Sequence, residues 1–283
     1  MTDERQNWTI VIRNRSGWLD IDLKELWRYR DLILLFVRRD FVTLYKQTIL
    51  GPAWFLVQPL FSTLVFTVVF GRIAKIPTDG LPQPLFYMSA IVAWNYFASC
   101  LTATSNTLIA NAGIFGKVYF PRLTVPLSVV ITNLLTFIIQ FAVFLCLLLF
   151  FYLRGAAIKP NALIFFVPFL ILQMGVLGLG FGVLVSSLTT KYRDFSFFVS
   201  FGVQLWMYAT PIVYPLSQIP ERWQWLYALN PMAAVIGAFR YAFLGAGSVR
   251  PLHLVTSLAV TVVVLIFSIM LFRRVEKKFM DTI

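Results

Sequence analysis

The sequence predicts an all-α integral membrane protein. Six transmembrane helices are expected, preceded by a cytoplasmic amphipathic interface helix, with re-entrant helices between spans five and six. Three observations carry the prediction. The 283 residues are 59% hydrophobic and only 13% charged, about half the charged share of a soluble domain. The apolar residues fall in long uncharged runs rather than at the short periods of a soluble core. Lys and Arg are divided unevenly among the segments that separate those runs.

A helix needs about 20 mostly apolar residues to cross the hydrocarbon. Uncharged runs long enough occupy 51–71, 85–116, 123–153, 162–190, 195–220 and 252–272. They place the crossings at about 52–71, 85–105, 123–151, 162–187, 195–212 and 252–272. A further uncharged stretch, Trp223–Phe239, is short and carries Pro231; it reads as re-entrant or interfacial within an outer segment at 213–250. In span four, Gly178 and Gly182 have the spacing that lets two helices approach closely.

With six crossings both ends share a side. Nine Lys and Arg in 1–50, four in the second and fourth loops and four after the last span make seventeen there, against seven opposite. Both termini are therefore expected in the cytoplasm. The net charge of +12 is mostly this topology signal, and no nucleic-acid partner is expected.

The N-terminal 50 residues hold one helical pattern. From Leu19, apolar residues recur at Leu23, Leu26, Ile33, Val37, Phe41 and Leu44, with charges between them. Trp27, Arg38 and Arg39 suit a helix lying on membrane lipid; the alternative is a helix packed on a soluble core. The stretch 19–50 is assigned to that helix. Residues 1–18 form a separate cytoplasmic segment and 273–283 a cytoplasmic tail. In "YKQTILGPAWFLVQP", from Tyr45 to Pro59, Gly51 breaks the surface helix, Pro52 suits the first turn of the next, and Pro59 is expected to kink it. The stretch is an elbow into the membrane.

Catalytic chemistry is not expected. No ionisable group sits mid-span, where an ion-coupled carrier or intramembrane enzyme would need one. His253 lies at a span edge. Cys100 and Cys146 lie in apolar runs and give no disulfide framework. No metal-ligand spacing appears. Gly113-Ile-Phe-Gly-Lys-Val118 misses the phosphate-loop pattern, which needs Gly at 111 and Ser or Thr at 118, here Asn111 and Val118. No cleavable signal is expected, and the glycosylation patterns at Asn7 and Asn14 fall on the cytoplasmic side. A pathway protein with no energy source of its own suggests a partner that supplies it.

Three motifs carry a resemblance. "YKQTILGPAWFLVQPL" after a basic amphipathic helix, "NAGIFGKVYFPRLTVPL" after span two and "TTKYRDF" after span four resemble the membrane subunits of ABC type-2 exporters. The likeness is to the permeases of O-antigen, capsular polysaccharide and teichoic acid, and covers about Leu19 to Phe272. It implies a homodimer paired with two cytoplasmic ATPase subunits, which hold the ATP and Mg; this chain binds no cofactor. It implies a lipid-linked glycan as substrate. The loop at 106–122 would be the coupling segment on the ATPase, with Asn106, Leu108, Ile109, Asn111, Ile114, Phe115, Lys117 and Arg122. Asn106 and Thr107 are suited to cap a short helix there. Lys191, Arg193 and Asp194 would contact the ATPase or the substrate head group, or else only cap a turn. Trp223, Trp225 and Pro231 would belong to an outer gate. Other cargos, such as drugs or lipids, and an intramembrane glycosyl or prenyl transferase are the alternatives.

The path for a glycan is read from helical spacing. Phe197, Phe201, Gln204 and Tyr208 share one face of span five, and Gln58, Phe61, Ser62 and Phe66 one of span one. Aromatic faces stack on sugar rings and amides exchange hydrogen bonds with hydroxyls, so both stripes are expected to line the pore. The alternative is aromatics on lipid and glutamines bonded to neighbouring helices. Val199 is expected on the lipid side.

Overall fold

In the computed structural model, the described residues are 23–46, 48–115, 117–189, 194–247 and 249–279. Segment 1–18, the first turn expected from Leu19, and Lys191 and Arg193 lie outside them. Among the described residues every regular element is helical.

The surface helix is two pieces, α1 (Leu23–Arg28) and α2 (Arg30–Tyr45), split at Tyr29. Gly51 then takes φ +54°, a left-handed conformation that costs a side chain about 1–2 kcal/mol, and Pro52 lies in the turn that opens α3 (Trp54–Phe66). The surface helix ends earlier than the 19–50 read from the sequence, at Tyr45 with Lys46 extended, so Gly51 turns the chain into α3 and is not what breaks α2. Pro59 is inside α3, and a π turn, Thr67–Ile73, completes the first crossing. Its freed Gly71 carbonyl accepts from Gln83 Nε2 at 3.1 Å.

α4 (Gln83–Ser105) is uncharged all round and buried along most of its length. It is the central post, in contact with α3, α7 (Thr124–Leu153), α8 (Val167–Thr189), α9 (Phe195–Ala209) and α11 (Pro231–Leu244). Between α4 and α7 run two single turns, α5 (Thr107–Ala110) and α6 (Ala112–Phe115). α10 (Glu221–Leu229) precedes α11, and α12 (Pro251–Phe279) closes the chain against α8 and α11.

Glycines explain the closest approach. A Cβ at Gly178 would stand 2.6 Å from Cys100 Cβ, and one at Gly182 2.5 Å from Thr104 Cβ. Only glycine lets α8 lie this near α4. Gly180 opens the opposite face to Val264 and Leu265 of α12. Polar bonds then tie α8, α12 and α11 together: Gln173 Nε2 donates to Ser257 Oγ at 2.7 Å, and Ser257 Oγ to the Pro231 carbonyl at 2.8 Å. With few competing partners in a membrane, such bonds fix helix register.

Two boundaries differ from expectation. Five stretches are long and apolar enough to cross a membrane: Gly51–Ile73, Gln83–Ser105, Thr124–Leu153, Ala162–Thr189 and Pro251–Val275. The segment expected at 195–212 is α9, with 15 residues, about 22 Å at 1.5 Å per residue against a hydrocarbon core of roughly 30 Å. Extended backbone at Thr210, just before Pro211, ends it, because proline disfavours a helical residue ahead of it. At the other end, α12 runs on through Phe279, so the expected tail begins as helix.

Candidate functional site

The segment 106–122, expected to couple to an ATPase, is anchored inside the fold. Leu108 is 1% exposed and Phe115 5%, within an apolar hub that also holds Phe36 of α2, Phe120, Val125 and Phe272 of α12. Phe115 lies 5.5 Å from Phe120, and Phe120 lies 5.8 Å from Phe36, between ring centroids. Arg122 is buried with its guanidinium over the Phe115 ring at 5.7 Å, and Arg39 stands over Phe36 at 4.7 Å. Ile114 is half-buried against the hub. The Leu108 amide donates to Ser186 Oγ at 3.5 Å, and Thr189 Oγ1 to the Ser105 carbonyl at 3.3 Å, so α8 holds the same turn.

The outward side of the segment is different from the face read in the sequence. Ile109, Val118 and Tyr119 are exposed beside Lys117 and Asn106. Asn106 makes no side-chain cap, and Thr107 Oγ1 donates back to the Thr104 carbonyl at 2.8 Å; Asn111 Nδ2 donates to the Thr107 carbonyl at 3.0 Å. The expected capping pair is thus replaced by bonds within the turn.

The surface helix uses two faces. Ile33, Phe36 and Val37 are buried, whereas Trp27, Leu34 and Leu35 are exposed, with Arg38 and Arg39 beside them. It rests on α7 and still offers an apolar strip outward. Pro52 is exposed at the elbow. For Tyr45 only the backbone is described.

Of the two predicted path stripes, that on α9 is open. Phe197 is 78% exposed and Phe201 62%, with Gln204 and Tyr208 also exposed. On α3, Gln58 and Phe61 are exposed, Ser62 is half-buried, and Phe66 packs edge-on to Tyr87 and Phe70. Phe66 is half-buried and packs against the core. Val199 is buried against the core rather than on a lipid face, because it lies on the side of α9 turned to α4 and α8. Asp194 is exposed at the start of α9 without a side-chain cap.

The region between α9 and α12 is braced by α11. Asn230 Oδ1 accepts from the Met232 amide at 3.1 Å, capping the helix, and from Trp206 Nε1 at 3.1 Å. Asn230 Nδ2 donates to Thr210 Oγ1 at 3.0 Å. Trp206 sits within 5.1 Å of both Phe97 and Phe181, ring to ring. Arg240 is buried. It donates to the Pro211 and Ile212 carbonyls at 3.3 Å each and to Phe86 at 3.5 Å, and stacks 3.6 Å from the Phe86 ring centroid. The far end of α11 is capped by loop 159–161: the Asn161 amide and side chain donate to Ala242 and Tyr241 carbonyls at 3.1 and 2.8 Å. Pro231 is buried, while Trp223 and Trp225 on α10 are exposed. Burial, and then a hydroxyl contact with Tyr227 at 2.7 Å, raise the pKa of Tyr214 above its ordinary value.

This assembly of a central post, a 106–122 segment locked to a surface helix and the α10–α11 pair is matched over residues 31–244 by the family model described as ABC-2 type transporter. The chain belongs to the ABC-2 transporter family. Similar proteins match about three quarters of the chain. An O-antigen export system permease protein RfbA from Klebsiella pneumoniae is 28% identical over 214 residues, 76% of this chain and 80% of that one. One from Myxococcus xanthus is 26% identical over 226 residues, 78% and 83%. A polysialic acid transport protein KpsM from Escherichia coli is 23% identical over 206 residues, 72% and 78%. Like other ABC-2 membrane domains, this chain is a multi-pass membrane protein.

Sequence reasoning missed three residues of this ABC-2 domain. Asn230 was legible: an Asn just before Pro at the first helical position is a helix-start signature. Arg240 counted only as a loop charge, although an arginine inside an apolar helix is a signal of its own. Trp206 had no signal beyond its apolar surroundings.

Proposed function

We propose that this chain is the permease subunit of an ATP-driven exporter of lipid-linked polysaccharide, O-antigen foremost, with capsule and teichoic acid as the neighbouring cargos. The observation that carries the reading is the family match across the helical core, joined by relatives whose names specify O-antigen and polysialic acid transport. Two copies of the chain would pair with two cytoplasmic ATPase subunits, which bind ATP and Mg. The exposed Ile109, Val118 and Tyr119 suit that ATPase contact. α9 counts as the fifth of six crossings, and α10 with α11 as the outer re-entrant pair. Both termini then lie in the cytoplasm and the protein in the inner membrane.

The orientation is tested with single cysteines in intact cells. Asp79→Cys and Arg222→Cys are expected to label from outside, and Lys117→Cys only after permeabilisation. Outside labelling at 117 would reverse the assignment of coupling and gate. The cargo is tested by co-expressing the chain with an ATPase encoded beside it and following ATP-dependent entry of lipid-linked glycan into inverted vesicles. Entry is expected only when both chains are present.

A further inference from the structure

We propose that a cavity at the outer end of the last helix binds the phosphate of a lipid headgroup. The cavity has a volume of about 250 Å³ and opens between α10, the start of α11 and the first turn of α12. That is smaller than the roughly 300–1,000 Å³ of drug-sized ligand sites, and fits a headgroup rather than a polymer. Arg250 and His253 line one wall, and Gln224, Tyr227 and Ser217 the other.

Charge decides the class of ligand. Among the described residues, none that lines the cavity carries a carboxylate. Asp79 accepts from Ser217 Oγ of the lining at 2.8 Å and interacts electrostatically with buried Arg240. Asp79 thereby answers Arg240 and leaves Arg250, which is exposed and has no carboxylate partner among the described residues. A guanidinium presents five donors in a fork that matches phosphate oxygens. Other donors on the opposite wall are engaged: Gln224 Nε2 bonds the Ile219 carbonyl at 3.4 Å, and the Tyr227 hydroxyl meets Tyr214 at 2.7 Å. The acceptor oxygen of Gln224 remains for a headgroup hydroxyl.

Depth decides the source. The cavity is at the first turn of a membrane-crossing helix, beside exposed Trp223 and Trp225, and indole rings settle at the headgroup level. Lipid phosphate at this level comes from the bilayer or from the phosphate-linked anchor of the cargo. Placing the cavity on the outer leaflet rests on the proposed orientation; binding itself does not.

The test uses the full-length chain, delipidated in detergent, with native mass spectrometry as readout. The probes are phosphatidylglycerol, a polyprenyl diphosphate, and diacylglycerol as the phosphate-free control. Both phosphate lipids or only one are expected to bind more tightly than diacylglycerol. Arg250→Gln is expected to weaken that binding roughly ten- to a hundredfold, the range of one lost charge-assisted contact. Arg250→Lys should retain part of it, and Arg154→Gln, an exposed outer cation elsewhere, all of it. Preference for the diphosphate assigns the site to the cargo anchor, and equal binding to the bilayer. Should Arg250→Gln not remain monodisperse, Arg250→Lys and His253→Asn carry the test through intermediate losses. Diacylglycerol binding as well as the phosphate lipids, unchanged affinity in Arg250→Gln, or an equal loss in Arg154→Gln would overturn the proposal. Because no transport or orientation enters the assay, its failure leaves the export reading standing.

Discussion

Phe36 on the surface helix stands 5.8 Å from Phe120, ring centroid to centroid, and Phe120 meets Phe115 at the end of the coupling segment. The surface helix and the segment proposed to meet an ATPase are therefore one packed unit. A displacement of the segment would be passed to α2, α7 and the C-terminal end of α12 through close-packed side chains.

Phe115→Ala is expected to lower stability by about 3–5 kcal/mol, the usual cost of emptying a large buried site. Val118→Asp and Tyr119→Ala, on the exposed side, should leave stability unchanged and weaken ATPase association. Melting in detergent and pull-down of the ATPase separate the two classes. Normal melting in Phe115→Ala would mean the hub is not packed.

The glycine seam gives a graded expectation. Gly182→Val pushes methyl groups into Thr104, and Gly178→Leu meets Cys100, so both should reduce the amount of folded permease severely. Gly202→Ala on α9 has open space around it and should be neutral. Immunoblotting of membranes after equal induction is sufficient to read the difference.

Removing Arg240 strands the carbonyls of Pro211 and Ile212 and the face of Phe86. Arg240→Met is expected to cost about 3 kcal/mol, since hydrogen bonds to a charged group contribute roughly 1.5–3 kcal/mol each and methionine recovers part of the packing. Proteolysis of the 211–220 region should quicken. An unchanged rate would show that the brace does not hold that loop.

The α9 stripe separates path from lipid. Phe201→Ala, Gln204→Leu and Tyr208→Ala are expected to reduce surface polysaccharide or shift its chain length at matched permease levels. Phe198→Ala and Leu205→Ala, exposed on the neighbouring flank, are the lipid-side comparison and should export normally. The reverse pattern would place the path on the other flank.

Much of this was legible because membrane helices announce themselves by uncharged length. The elbow at Gly51 and Pro52 and the spacing of Gly178 and Gly182 were readable for the same local reason, since glycine and proline constrain backbone wherever they stand. The rest depends on partners distant in sequence. Phe115 looks like half of a docking face until Phe120 and Phe36 are found to cover it. Val199 looks lipid-facing until α4 and α8 close on it. Arg240 looks like a loop charge until three carbonyls surround it. The end of α9 was misplaced because absence of charge marks what can enter a membrane and says little about where proline stops the helix.

Export of a lipid-linked polysaccharide is tested by a deletion strain. Cells lacking this chain, with its ATPase and glycan synthesis intact, should lose surface polysaccharide while the lipid-linked polymer accumulates inside, and the wild-type chain should reverse both. Unchanged surface polysaccharide, with no internal polymer, would contradict the account.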